Sequence, residues 1–207
     1  MAMQVLSLCK QLCPDKITYN TTVKIGYGVD GEVFRIENSP DQVIKYCILY
    51  DNEDDNLQKN FEQIRKVLSH LCDYPSPVYA RVHNYECFGK FSHQSKSEEF
   101  ILYCYVMEKL YPITKDEGRV FHTIVSHEDR GISKDYSREK RQDIIRGLAV
   151  GLDFDSERVM FFCDNIRNSP VQHHDLHERN IMKDCFGNFK LVDLDRTIIE
   201  WRKDNEQ

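Results

Sequence analysis

From Val23 to Leu49 the chain is rich in Val, Ile, Tyr and Phe and is punctuated by glycines and by Asn38-Ser39-Pro40-Asp41. This pattern predicts three short strands in an antiparallel meander. The acidic stretch 51–55 precedes Leu57, Phe61, Ile64, Leu68 and Leu71, whose spacing places one apolar stripe on a helix. Acid at a helix start suits the helix dipole. Pro75 and Pro77 end that helix, and Val78 to Phe88 and Glu99 to Met107 then read as two further strands. Five strands and one helix make a first lobe. Beyond it helical periodicity takes over, in Ser137 to Leu152 and in Ser156 to Asn168. Ile181 to Lys183 and Phe189 to Leu194 are apolar strands around a turn at Cys185-Phe186-Gly187-Asn188. The polar segment from Tyr111 to Tyr136 predicts no element.

Composition narrows the classes. A chain of 207 residues with 41% hydrophobic side chains can bury one good core or two small ones, which excludes full disorder. Charged residues reach 30% with both signs interspersed and a formal net charge of -6, so no broad basic field exists to attract nucleic acid or anionic lipid. No apolar run approaches the roughly 20 residues of a membrane span. The eight cysteines form no CxxC pair and lie mostly in apolar runs, where a free thiol packs as a small hydrophobe. Reduced thiols imply a cytosolic compartment, that of a host cell included.

Three groups of residues carry chemistry. Ile25-Gly26-Tyr27-Gly28-Val29-Asp30-Gly31-Glu32-Val33 is a GxGxxGxV pattern across the turn between the first two predicted strands. Glycines there let backbone amides approach phosphate oxygens, although a plain glycine hairpin has the same composition. A dinucleotide-binding loop needs a following helix, whereas here a strand follows. Lys45 lies in the third strand between apolar neighbours, and a buried ammonium needs an anionic partner. ATP phosphates would supply one and Glu62 on the amphipathic helix another; a snorkelling lysine and a solvated glutamate are the plain alternatives.

The third group is Val171-Gln172-His173-His174-Asp175-Leu176-His177-Glu178-Arg179-Asn180, followed by Leu191-Val192-Asp193-Leu194-Asp195-Arg196. Asp175 precedes Asn180 by five positions and Asp193 by eighteen. A tight loop can present a carboxylate to an attacking hydroxyl and an amide oxygen to a metal, and a hairpin can return a second carboxylate beside them. His173, His174 and His177 could instead be zinc ligands, but no further cysteine or histidine cluster completes a tetrahedral set.

Taken together and in this order, these residues resemble the protein-kinase superfamily from Gly26 to Asp195. The resemblance implies an α+β, bilobal protein-kinase-like fold, with a five-stranded antiparallel sheet and one helix in the first lobe and a reduced, mainly helical second lobe. It divides the chain into an extension (1–18), a first lobe with hinge (19–110) and a truncated second lobe (111–207). By the same resemblance Gly26, Tyr27, Gly28, Val29, Gly31 and Val33 cover the nucleotide, and Lys45 holds its phosphates and pairs with Glu62. Met107, Glu108 and Leu110 form the hinge against adenine. Asp175 is the catalytic base, His173 buttresses its loop, and Asn180 and Asp193 hold magnesium.

Departures from the pattern bear on the acceptor. His174 replaces the arginine that reads a phosphorylated activation loop in many kinases. His177 is similar to the aminoglycoside and choline kinase branch, and Asp193-Leu194-Asp195-Arg196 to kinases of lipopolysaccharide core sugars. Twelve residues follow Asp195, so the activation segment and later helices have no counterpart, as in some bacterial effector and phage-encoded kinases. The first expectation is a minimal serine/threonine-type protein kinase using ATP and Mg2+ on a protein, a host protein included. A small-molecule or sugar kinase is the alternative, and a nucleotide-binding pseudokinase that captures a partner is the third.

Overall fold

In a computed structural model the described residues, 4–28, 30–50, 56–92, 98–126 and 138–199, fall into two compact units. The first comprises Met1–Tyr74 with Arg81–Lys109, the second Pro75–Ala80 with Leu110–Gln207. The fold is α+β, with a five-stranded antiparallel sheet and helices.

The first unit opens with helix α1 (Val5–Leu12), followed by strands β1 (Thr21–Tyr27), β2 (Gly31–Ile36) and β3 (Ser39–Tyr50). Helix α2 (Leu57–Asp73) then leads into β4 (Val82–Ser92) and β5 (Glu99–Glu108). The sheet order is β1-β2-β3-β5-β4, so the predicted meander runs from one edge to the centre, where β3 lies, and β5 is inserted between β3 and the other edge strand, β4. β3 and β5 pair without a break from Gln42↔Glu108 to Tyr50↔Phe100. Such a ladder fixes which side chains point to which face, because a slip of one residue would invert them all.

Both faces of this sheet are covered. On one, α2 buries Leu57, Phe61, Ile64, Val67, Leu68 and Leu71, and Phe61 meets Tyr103 with ring centres 5.4 Å apart. The side chain of Asn56 caps that helix by accepting from Lys59 N at 3.1 Å. The other face carries Ile44, Tyr46, Ile48, Leu102, Cys104 and Val106, and onto it α1 lays Val5, Leu6 and Cys9. The apolar pattern predicted no helix in 5–12. That helix turns a one-sided sheet into a sheet with two cores.

The second unit contains β6 (Tyr111–Pro112), α3 (Lys115–Ser126), α4 (Arg138–Ala149) and α5 (Ser156–Asn168). It continues with β7 (Val171–His173), β8 (Ile181–Lys183), β9 (Phe189–Leu191) and β10 (Thr197–Ile199). The segment from Tyr111 to Tyr136, expected to be irregular, thus holds α3. A reciprocal cap starts that helix: Thr114 N donates to Glu117 Oε2 at 2.7 Å and Glu117 N to Thr114 Oγ1 at 3.2 Å. Its core is an aromatic triad, with Phe121 lying 5.3 Å from Phe162 and 4.8 Å from Phe189. Edge-on ring geometry suits the aromatic quadrupole.

Two predicted strands are shorter than expected. Val78 to Phe88 splits, since β4 starts at Val82 whereas Val78 and Ala80 exchange backbone hydrogen bonds with Leu191 at 2.7 and 2.9 Å in the second unit. The strand ending at Leu194 stops at Leu191, because Asp193 takes a left-handed backbone conformation that no strand accommodates.

All eight cysteines are free thiols. Burial pushes Cys9 and Cys104 up to about 12, which keeps both protonated and unreactive.

Candidate functional site

The candidate phosphate-binding groups of the first unit lie on three neighbouring strands. Gly26 pairs with Val33 across β1 and β2, and Val33 pairs with Lys45 across β2 and β3. The turn between β1 and β2 is closed by Gly28 N donating to Gly31 O at 2.8 Å, and pinned to the sheet by Ile48 N donating to Asp30 O at 2.9 Å. Tyr27 projects into solvent, 84% exposed. Val29 lies outside the described residues.

The glycines differ in what they permit. Around Gly28 a methyl group would meet nothing within 4 Å, whereas at Gly31 a Cβ would stand 2.7 Å from the Tyr46 carbonyl oxygen and 3.0 Å from Lys45 Cε. Gly31 is therefore required by close packing of the turn over Lys45, and Gly28 is not. Lys45 is buried at 7% exposure, with its ammonium 5.8 Å from the centre of the Tyr105 ring. A ring face partly offsets the cost of burying the cation.

Glu62 sits on α2 with its carboxylate engaged by Arg65 at 2.7 Å and by Gln58 Nε2 at 3.2 Å. The expected pairing with Lys45 would have to share or displace Arg65. Met107 is buried at the end of β5, opposite Val43. Glu108 N donates to Arg81 O at 2.9 Å while its carboxylate accepts from Arg81 N at 2.8 Å, which fastens the end of β5 to the start of β4. Leu110 belongs to the second unit.

In the second unit the loop after β7 is organised by one buried imidazole. His173 Nε2 lies 2.9 Å from Val192 O, and Asp175 N donates to His173 Nδ1 at 3.2 Å. The neutral ring with its proton on Nε2 satisfies both partners at once. Burial pushes the His173 pKa below the ordinary imidazole value, against the Val192 hydrogen bond and the nearby carboxylates of Asp193 and Asp175.

Asn180 completes the loop. Its Nδ2 donates to Asp175 O at 2.9 Å, and its own carbonyl accepts from Val192 N at 2.9 Å. With Nδ2 so committed, Oδ1 is the free end of a buried side chain. The Asp175 backbone is thus tied from both sides, while its side chain remains 54% exposed. Asp193 follows Val192 with φ 62° and ψ 55°, a conformation costly for a residue with a Cβ. The structure therefore ties His173, Asp175 and Asn180 into one hydrogen-bonded loop, with Asp193 next in the chain to Val192, which His173 and Asn180 both hold.

An amide oxygen and a carboxylate are hard oxygen donors, the kind Mg2+ takes while keeping several waters. The donor set of Asn180 and Asp193 fits that ion. Among the described residues no group of three or more His, Cys, Asp or Glu side chains is arranged to hold a metal. His177 is not aimed at one: its Nδ1 accepts from Arg179 N at 3.2 Å and its Nε2 faces Asp175 Oδ2 at 3.7 Å.

One participant escaped the sequence pattern. Glu32, inside the glycine motif, is a buried carboxylate that binds the start of α1 and Lys24. Its partner Leu6 is 26 positions away, so no local spacing could reveal it.

No family model matches the chain, and no curated protein matches it. Solved structures do show likenesses. A MAP kinase from Leishmania major is similar over 93% of this chain and 50% of its own, at 17% identity and a TM-score of 0.45. WbdD is similar over 88% of this chain and 34% of its own, at 14% identity and a TM-score of 0.42. The chain thus spans half the length of the first and about a third of the second. The likeness is one of fold. Among the described residues no helix is long and apolar enough to cross a membrane.

Proposed function

We propose that the chain is an ATP- and Mg2+-dependent phosphotransferase whose acceptor is a protein hydroxyl. The observation that carries this reading is the loop after β7, where His173 and Asn180 tie the Asp175 backbone from both sides and leave its carboxylate in solvent. A carboxylate held this way can accept a proton without the loop having to rearrange.

In this reading the amides of the glycine-rich turn and the Lys45 ammonium hold the nucleotide phosphates, and the Glu108 carbonyl meets adenine. Asp175 accepts the proton of the acceptor hydroxyl as its oxygen bonds to the γ-phosphorus and the bond to the bridging oxygen breaks, releasing ADP. Asn180 Oδ1 and the Asp193 carboxylate are the groups that would hold Mg2+, which when bound neutralises charge on the phosphate oxygens. The left-handed backbone at Asp193 supports a role for that residue, since such a cost is usually retained where a side chain must be aimed.

A small-molecule or sugar acceptor is the second reading, favoured by the histidine at 177 beside Asp175. Incubation with labelled ATP and Mg2+, alone, with cell lysate and with sugars or aminoglycosides, separates the two. Label in lysate proteins that is absent with Asp175→Asn supports the first reading, and label in small molecules alone the second. Nucleotide binding with no transfer to any acceptor would leave a binding module.

A further inference from the structure

Glu32 is a buried carboxylate with no role in the chemistry above. It follows Gly31 on β2, is 6% exposed, and its two oxygens serve different elements. Oε2 accepts the backbone N–H of Leu6 at 3.0 Å, and Oε1 accepts Lys24 Nζ at 3.1 Å.

Leu6 is the second residue of α1, whose first amides need acceptors. The helix supplies none itself, because Gln4 makes no side-chain cap and the first turn has no acidic residue. Glu32 therefore caps α1 from the neighbouring sheet, with its negative charge at the positive end of the helix dipole. On its other side Lys24 lies 5.9 Å from the centre of the Tyr27 ring, at the tip of the glycine-rich turn. The far end of the N-terminal segment is fastened as well, by Lys16 Nζ donating to Phe88 O at 2.9 Å and Cys87 O at 3.2 Å. β1, by contrast, is an edge strand exposed along most of its length, and the Lys24 bond to Glu32 ties its side-chain face to β2.

We propose that α1 and Glu32 brace the glycine-rich turn, making Glu32 a positioning residue for the phosphates of the nucleotide. The proposal rests on the phosphate-holding role given to that turn above. A turn already held in its binding geometry loses less freedom when a ligand arrives, and affinity gains accordingly. The N-terminal helix then contributes to nucleotide affinity without touching nucleotide.

The test uses the full chain with Glu32→Gln, which keeps size and one acceptor but removes the charge, and with Lys24→Met. Amide hydrogen exchange at Tyr27, Gly28, Gly31 and Glu32 is read beside Kd for Mg·ADP and the KM and kcat for ATP. Glu32→Gln is expected to speed exchange in the turn and in the first turn of α1, and to raise Kd and KM about fivefold with little change in kcat. Lys24→Met should loosen the turn while α1 stays protected. Unchanged exchange in the turn with both variants overturns the brace, and so does a loss of protection spread evenly through β3 and β5. If the parent binds no nucleotide, the phosphotransferase reading fails, and the exchange pattern alone decides whether the brace exists.

Discussion

The two units hold their candidate functional groups by different means. In the first, Gly26, Gly31, Val33 and Lys45 lie on long strands in register, with helices packed on both faces of the sheet. In the second, Asp175, Asn180 and Asp193 lie between strands of three residues each, and their positions rest on side-chain hydrogen bonds to backbone. A ladder resists change in volume, because neighbours on a pleated sheet cannot move separately. A polar loop resists change in donors and acceptors, because each buried partner left alone bears its full desolvation cost. The two kinds of site should therefore fail to different substitutions.

The largest effect should come from a substitution that alters chemistry and nothing else. Asp175→Asn keeps the size of an exposed side chain and leaves the backbone bonds to His173 and Asn180 in place. Turnover is expected to fall about 10²- to 10⁴-fold with nucleotide Kd and thermal stability unchanged. A matching loss of stability would show that the loop depends on that carboxylate for its fold. Gly31→Ala should do the opposite in the first unit, since its Cβ would meet a backbone oxygen at 2.7 Å. Denaturant unfolding is expected to show a loss of about 1–3 kcal/mol, whereas Gly28→Ala, with open space around it, should cost little. Equal losses at the two glycines would break the claim that the ladder makes one of them necessary.

The same contrast governs what could be read in the chain. Period and composition disclosed β1 to β5 and α2, because a buried stripe is a local pattern. The loop of Asp175 was legible only as a motif, since His173 and Val192 are joined by a hydrogen bond across nineteen positions that no periodicity encodes. Helix α1 stayed hidden for a related reason: its cap comes from Glu32 and not from its own flank. Helix α3 did carry a local signal, the Thr114 and Glu117 spacing of a capping box, but its surroundings are polar enough to read as loop. Val78 to Ala80 were misplaced because a continuous apolar run names no partner, and Leu191 took them into the other unit. The expected pairing of Lys45 with Glu62 depends on a side-chain choice that Arg65 also influences, and spacing alone does not reach that choice.

A smaller effect is expected where the second unit uses an ion pair. Lys183 Nζ lies 2.9 and 3.1 Å from the two oxygens of Glu117, joining β8 to α3. The Glu117 pKa is lowered: burial pushes it up, but the Thr114 amide and Lys183 outweigh that. Its contribution to stability is thus present above the ordinary carboxylate value and is lost as pH falls through the folded pKa. Lys183→Met should cost about 1 kcal/mol, a figure kept low because the lysine is partly solvated. It should also flatten the acid limb of a stability-against-pH curve. An unaltered acid limb would mean that backbone donors alone hold Glu117 ionised.

The finest discrimination lies in the titration of His173. The unfolded imidazole ionises near about 6.5, and burial sets the folded value lower. Between those two values the unfolded chain binds the extra proton, so stability should rise with pH across that window and be complete above it. On acidification the contribution is lost as pH passes through the folded pKa. Protonation of Nδ1 removes the acceptor for Asp175 N, so the loop should loosen over the same range. His173→Gln carries no titrating ring, and the difference between its stability curve and the parent's isolates this residue from the other seven histidines of the chain. Parallel curves between pH 5 and 7 (about one and a half units below the unfolded value to half a unit above it) would show that His173 is not the neutral bridge its two hydrogen bonds require. The polar loop would then depend on contacts other than this ring.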